Sequence, residues 1–162
     1  MLLKGIIVED FTNYKLPSML IIFPTCSWKC GEDICQNRAI KDIPNITIDI
    51  NEIVQRYIAN PISKALVCSG LEPFDSYDDL IELITVFRRM SNNAIVIYTG
   101  YTEEEITNML MCLSKNTITK TLYEFENIII KYGRYIQGRQ SHYDCLLGVN
   151  LYSSNQYAKQ IR

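Results

Sequence analysis

The chain has 162 residues, of which 48% are hydrophobic and 21% charged, the balance of a soluble globular protein forming one domain over residues 1–162. Its net charge of −2 gives no reason to expect a nucleic acid or an anionic membrane as a partner. No apolar run approaches membrane length and the first residues lack a signal-peptide pattern, so we expect a cytoplasmic protein whose thiols stay reduced.

The first part of the chain predicts two strands and a helix. A short apolar segment at residues 5–8 indicates a strand or edge hairpin, which leads into a core strand at about residues 18–23. Asp49 is placed to cap a helix that ends at Asn60-Pro61. The apolar positions of this helix recur on one face: Ile50, Ile53, Val54, Tyr57 and Ile58.

The rest of the chain alternates strands with helices. Strands are predicted at residues 64–68, 94–98 and 126–131, and residues 134–155 are expected to be loop. Helices are predicted to begin at Ser76 and Thr102, each with an acidic residue three positions later, in the pattern of a capping box. This alternation predicts an α/β fold with a mainly parallel sheet. Because four units are too few for a closed eight-stranded barrel, we expect a partial (open) β/α barrel.

Three of the six cysteines, Cys26, Cys30 and Cys35, fall within ten residues directly after the predicted strand at 18–23. The residues between them are mostly polar or turn-forming, which is not the pattern of a buried core. Loops at the carboxyl ends of parallel strands commonly build the sites of α/β proteins. In a reduced compartment a disulfide is disfavoured, and the spacing favours a metal or cluster site over a chance grouping of buried thiols.

Two further loops, at residues 69–73 and 99–101, follow predicted strands and should meet the cysteine loop at the same sheet edge. The remaining cysteines have a simpler interpretation. Cys68 ends a strand and Cys112 lies on a helix, so both are expected to be ordinary thiols. Cys145 and the single histidine, His142, lie in the tail, and a structural or exposed role for His142 is favoured over a metal ligand.

Four segments together resemble a known family. They are Phe-Pro-Thr-Cys with Cys-Gln-Asn (within residues 23–37), Ser-Gly-Leu-Glu-Pro (69–73), Ile-Tyr-Thr-Gly-Tyr-Thr (97–102) and Ser-Ser-Asn-Gln (153–156). In this order they resemble radical S-adenosylmethionine enzymes, and more narrowly the activating proteins of anaerobic ribonucleoside-triphosphate reductases. The chain departs from that pattern in its Cys-x3-Cys-x4-Cys spacing, where x2 is usual in the second interval. It also has Leu71 in place of a second glycine, and Lys131-Tyr132-Gly133 where an acidic residue is expected before the glycine.

The resemblance implies a set of site residues. Cys26, Cys30 and Cys35 would bind a [4Fe–4S] cluster, and no catalytic side chain is implied beyond the cluster and its cofactor. The implied contacts to S-adenosylmethionine are made by Ser69, Gly70 and Glu72 to the methionine amino group, by Thr99 to the ribose and by Asn37 near the adenine. For Glu72 the alternative is an exposed loop carboxylate or a local cap, and for Thr99 it is a turn residue that ends a strand.

The resemblance also implies a partner, a large glycyl-radical enzyme such as the anaerobic ribonucleoside-triphosphate reductase, and a flavodoxin- or ferredoxin-type reductant. Because residues 134–162 show no strand or helix period, we expect a site open on one side, which favours a macromolecular substrate over a small one. Three alternatives remain. They are a radical enzyme acting on another glycyl-radical protein or peptide, a zinc module completed by Cys68, Cys145 or His142, and a simple electron carrier.

Overall fold

The computed structural model describes residues 1–114 and 121–162. Its strands are β1 (Leu2–Leu3), β2 (Gly5–Asp10), β3 (Ser18–Phe23), β4 (Ile46–Thr47), β5 (Ala65–Gly70), β6 (Ala94–Tyr98), β7 (Ile128–Tyr132), β8 (His142–Asp144), β9 (Val149–Leu151) and β10 (Tyr157–Gln160). Its helices are α1 (Ile50–Ala59), α2 (Tyr77–Met90) and α3 (Glu103–Ser114). None of these three helices in the described ranges is long and apolar enough to cross a membrane.

The main sheet has six strands in the order β2-β3-β5-β6-β7-β10. The four central strands run parallel, whereas β2 and β10 pair antiparallel at the two edges. The predicted α/β class with a mainly parallel sheet is therefore confirmed. The sheet formed by the described residues keeps two edges and is not a closed barrel, and the curvature of an open barrel stays a prediction.

The two faces of the sheet are covered differently. Because β3, β5, β6 and β7 are neighbours in chain order, each right-handed crossover moves the chain the same way and places its helix on the same face. Helical residues such as Ile53 and Ile84 pack there against Ile21 and Ile97. The opposite face carries a second apolar cluster, in which strand residues contact Leu147 from the β8–β9 hairpin. This second face is only partly covered, and it carries the cavity described below.

All three predicted helix starts are confirmed, and two of them have the predicted side-chain cap. The Asp49 carboxylate accepts from the backbone N–H of Asn51 at 2.7 Å, and Thr102 and Glu105 form the reciprocal pair expected of a capping box. Helix α2 does begin directly after Ser76, as predicted, and a 3-10 turn over Pro73–Ser76 precedes it. Only the capping box predicted there is wrong, because the Ser76 side chain makes no cap bond and its hydroxyl bonds the Thr25 hydroxyl instead. Ile58, expected in the buried face of α1, is 44% exposed.

The prediction that residues 134–155 form only loop is also wrong. The segment contains the β8–β9 hairpin, and β10 follows it and extends the sheet by pairing with β7. These strands are three or four residues long, and most side chains of β10 are exposed, so they show little of the alternation by which a half-buried strand is recognised.

Candidate functional site

A cavity of about 410 Å³ lies at the carboxyl ends of the parallel strands, on the face opposite the helices. Its volume falls within the roughly 300–1,000 Å³ typical of small-ligand pockets. The structure brings all the sequence-predicted site residues to its wall: Cys26, Cys30, Cys35, Asn37, Ser69, Gly70, Glu72 and Thr99. Residues from loops separated by up to 73 positions in the sequence therefore line one space.

The three cysteines are free and partly exposed, as metal-accessible thiols must be. Burial raises the pKa of the Cys26 thiol to about 11, and the nearby carboxylates of Glu72 and Asp75 act in the same direction. Burial and the neighbouring Cys35 raise the pKa of Cys30. Because iron and zinc bind the thiolate, loading this loop with metal must release protons.

The fourth zinc ligands expected from the sequence, Cys68, Cys145 and His142, do not join the three cysteines at the cavity. Within the described ranges, no three His, Cys, Asp or Glu side chains are grouped closely enough to hold a single metal ion. Cys68 is fully buried on the helix-covered face of β5, on the other side of the sheet from the cavity. Cys145 and His142 belong to the β8–β9 hairpin and are not among the cavity-lining residues. Three thiolates, each available to a separate iron, fit an iron–sulfur cluster better than a tetrahedral zinc ion.

The first part of the cysteine loop is tied to the two neighbouring loops. Asp75 accepts hydrogen bonds from the backbone N–H of Ser27 and from the hydroxyl of Tyr101, both at 2.5 Å. Ser27 and Tyr101 are themselves joined through their hydroxyls at 3.2 Å. The Thr25 carbonyl accepts from the backbone N–H of Glu72 at 2.7 Å. These bonds fix the residues on both sides of Cys26 before any metal is bound.

The third cysteine lies on a differently supported segment, the exposed arm (residues 31–47), in which no residue is buried. A side-chain contact holds the arm near the cavity: the side-chain amide of Asn37 donates to the Gly70 carbonyl at 2.7 Å. The ion pair between Lys41 and Glu32 lies within the arm itself. Asn37 therefore links the segment carrying Cys35 to the end of β5. The longer second cysteine interval is accommodated in this exposed arm rather than in the core.

Glu72 is the central carboxylate of the site and is only 5% exposed. One carboxylate oxygen accepts from the Thr99 hydroxyl at 2.8 Å and from the backbone N–H of Phe74 at 3.2 Å; the other accepts from the backbone N–H of Gly100 at 2.8 Å. Burial raises its pKa to about 7, although all three donors oppose that rise. The bond from Phe74 makes Glu72 the cap of the 3-10 turn that follows it, as one of the two alternatives predicted. A carboxylate offers about four acceptor positions, so one remains for a ligand donor.

Gly70 permits a close approach of two strands at the cavity wall. Its φ is +98°, and a Cβ atom there would lie 2.5 Å from Cγ2 of Ile22 on β3. The glycine therefore lets the loop after β5 lie directly beside the strand that feeds the cysteine loop. Among the other predicted residues, Ser69 lines the cavity half-buried, and Thr99 is buried with its hydroxyl bonded to Glu72.

The Ser-Ser-Asn-Gln segment stabilises the loop that follows β7. The Asn155 side-chain amide donates to the Arg134 carbonyl at 2.8 Å, and that of Gln156 donates to the Gly133 carbonyl at 3.2 Å. Gly133 has a φ of +95° and lies so close to the Asn155 carbonyl that a Cβ atom would be 2.9 Å from it. This motif therefore shapes one wall of the cavity and does so mainly through backbone contacts.

Sequence reasoning missed several cavity residues. Lys131, Tyr98 and Arg134 line it, as do residues 149–152 of the hairpin. A signal existed for Lys131, because a lysine inside the apolar run of β7 is uncommon unless its ammonium group meets a polar partner. The contribution of the hairpin carried no comparable signal.

A family model described as a 4Fe-4S single cluster domain matches residues 18–156 of this chain. The match includes the cysteine loop, all four parallel strands, and the tail as far as Gln156. No curated protein and no solved structure matched the chain in the corresponding comparisons.

Proposed function

Because the chain belongs to the 4Fe-4S single cluster domain family, we propose that it is a radical S-adenosylmethionine enzyme. Cys26, Cys30 and Cys35 would hold the cluster, and the cavity beside them would take S-adenosylmethionine. When bound, the cluster supplies the electron for reductive cleavage of that cofactor.

The observation that carries this proposal is the shared cavity. The three cysteines and the buried Glu72 line one space large enough for an organic ligand beside a cluster. A simple electron carrier needs no such ligand pocket next to its cluster, so the cavity favours the enzyme over that alternative. The residues have distinct tasks in this proposal. Glu72 and the backbone carbonyls of Ser69 and Gly70 accept from the methionine amino group. Thr99 and Asn37 line the nucleoside part.

We further propose that the substrate is a backbone glycine of a large glycyl-radical enzyme, the anaerobic ribonucleoside-triphosphate reductase, with a flavodoxin- or ferredoxin-type protein as reductant. The family resemblance of the four motifs supports this target. The expectation of a site open on one side gives this target no further support, because the β8–β9 hairpin lines one wall of the cavity. The structural support is the exposed arm, which leaves the Cys35 side of the site accessible to a docking protein.

The test is an anaerobic assay of the iron-loaded protein with dithionite and S-adenosylmethionine. The proposal predicts methionine and 5′-deoxyadenosine as products. Addition of the reductase should then give a doublet glycyl-radical signal in electron paramagnetic resonance. Cofactor cleavage without that signal would support the same chemistry on another glycyl-radical protein or peptide. A stable cluster with no cofactor cleavage would leave the electron carrier as the function.

A further inference from the structure

Lys131 places a buried positive charge in the wall of the cavity. Along β7, Ile128, Ile130 and Tyr132 belong to the helix-side core, so the intervening residues face the other way, toward the cavity. Lys131 is 7% exposed and lines the cavity beside Tyr98, its neighbour in register on β6. An ammonium group buried to this degree normally has an anionic partner.

No such partner is present within the described residues. The Lys131 ammonium donates to the Gly133 carbonyl at 2.9 Å and lies 5.9 Å from the centre of the Tyr98 ring. None of the ion pairs between described residues includes it. Burial lowers the pKa of Lys131 to about 8, and the charge of Glu72 only partly opposes this. Two of its three N–H donors remain available.

The acidic residues of this region are already bonded elsewhere. Both oxygens of Glu72 accept from the loops after β5 and β6. Asp10 accepts from Thr12 and Asn13, and Asp144 accepts from the backbone of its own turn and of β10. The other cavity-lining cation, Arg134, is paired with Glu105 at 2.6 Å. Lys131 is therefore the cation at this cavity that is left for a ligand.

We propose that Lys131 is the cationic element of a carboxylate-binding subsite in the cavity. A single compact ammonium group balances one negative charge, which matches a carboxylate. Phosphate sites instead commonly gather several cations or backbone N–H groups. Three strand spacings separate β7 from β3, so the backbone that carries Lys131 lies about 14 Å across the sheet from the strand that feeds the cysteine loop.

Two ligands have the required chemistry. One is the aminoacyl carboxylate of S-adenosylmethionine, a source that rests on the proposed function. The other is a carboxylate on a second ligand, which is independent of it. The two can be separated because decarboxylated S-adenosylmethionine keeps the sulfonium, the amine and the nucleoside but lacks the carboxylate.

The experiment compares the iron-loaded wild type with Lys131→Met, Lys131→Arg and the control Lys64→Met, which changes an exposed lysine at the opposite end of the strands. Isothermal titration calorimetry measures binding of S-adenosylmethionine, of its decarboxylated form, and of glutarate as a free carboxylate probe. Removing a buried charged hydrogen bond should weaken binding about tenfold to a hundredfold. Lys131→Arg should restore most of the loss.

Two outcomes support the subsite. If Lys131→Met weakens S-adenosylmethionine but not its decarboxylated form, the cofactor supplies the carboxylate. If Lys131→Met weakens the binding of glutarate alone, a second ligand supplies the carboxylate. Equal binding of all three compounds by the wild type and Lys131→Met would overturn the inference. A wild type that binds neither form of the cofactor would contradict the proposed function, while the glutarate titration would still decide the subsite. If Lys131→Met does not fold, Lys131→Gln takes its place in the same comparison.

Discussion

The carboxylate of Glu72 accepts a hydrogen bond from the hydroxyl of Thr99 at 2.8 Å and so joins the loop after β5 to the loop after β6. The same carboxylate accepts from the backbone of Gly100, while the backbone N–H of Glu72 donates to Thr25 in the cysteine loop. One residue thus connects three loops at the edge of the sheet. It holds the cavity in shape and also presents a carboxylate to it.

The buried Glu72 should make the stability of the metal-free protein depend on pH. Its pKa is raised from 4.5 to about 7 in the folded state, so its contribution is fully present below pH 4.5 and is lost as the pH rises through 7. Relative to Glu72→Gln, the wild type should lose about 3 kcal/mol of unfolding free energy over this range. Urea unfolding between pH 4 and 8 measures the difference. Glu104→Gln, a substitution at an exposed position that leaves Glu72 in place, should keep the pH dependence of the wild type. Parallel curves for the wild type and Glu72→Gln would contradict the assignment.

Gly70→Ala should be strongly destabilising, because it combines an unfavourable backbone angle with a collision against β3. The added Cβ atom would lie 2.5 Å from an Ile22 side-chain atom and 3.0 Å from backbone atoms, and we expect a loss of roughly 3 kcal/mol or more. Gly138 is a matched control, since its φ of +82° is similar but no atom lies within 4 Å of the added Cβ. Gly138→Ala should cost about 1 kcal/mol in the same unfolding experiment. Equal losses for the two variants would show that the close approach is not important.

Asp75 and Tyr101 should control how firmly the cysteine loop holds a cluster. Tyr101→Phe removes the hydroxyl that bonds Asp75 and Ser27, and Asp75→Asn leaves one of two donors without an acceptor. Each change should speed cluster loss to a chelator by about tenfold, the equivalent of one lost hydrogen bond. The decay of visible absorbance measures this rate. Asp78→Asn, at an exposed position on α2, should lose its cluster at the wild-type rate. The interpretation would be wrong if all three variants matched the wild type.

How far the sequence predicts this structure depends on the kind of signal each element carries. The parallel strands and their helices follow from long apolar runs and strong periodicity, as Ile50, Ile53 and Tyr57 show for α1. The sequence also predicts that the cysteine loop and Glu72 lie close together, because parallel strands bring their carboxyl ends to one edge of the sheet. Strand β10 could not be predicted from the sequence. It is a short edge strand that pairs only with β7 among the described strands, and most of its side chains are exposed.

Other features were beyond sequence reasoning because they arise from tertiary contacts. The Asp75 carboxylate bonds a serine 48 positions away and a tyrosine 26 positions away, and no local pattern indicates either partner. Ser76 has the identity of a helix cap, yet its hydroxyl bonds Thr25 because the cysteine loop passes beside it. The cavity-facing direction of Lys131 becomes evident only once the register of β7 with β6 is known.

The cysteines themselves give a direct test by substitution. The reconstituted wild type should contain about four irons per chain, and Cys26→Ala, Cys30→Ala and Cys35→Ala should each lose the cluster. Cys112→Ala is the control, since this exposed thiol lies on α3 and is not among the cavity-lining residues. Iron and sulfide analysis after anaerobic reconstitution measures the outcome. Retention of four irons by any of the three loop variants would remove that residue from the ligand set.

The central claim is that the cluster and S-adenosylmethionine occupy one cavity, in contact with each other. Electron paramagnetic resonance of the reduced, iron-loaded protein tests it directly, because a ligand bound to the open iron changes the signal of the cluster. We predict that S-adenosylmethionine shifts the signal of the wild type. The same addition should alter the signal of Glu72→Gln less, because that variant lacks the carboxylate proposed to accept from the methionine amino group. A wild-type signal unaltered by saturating S-adenosylmethionine would contradict the account.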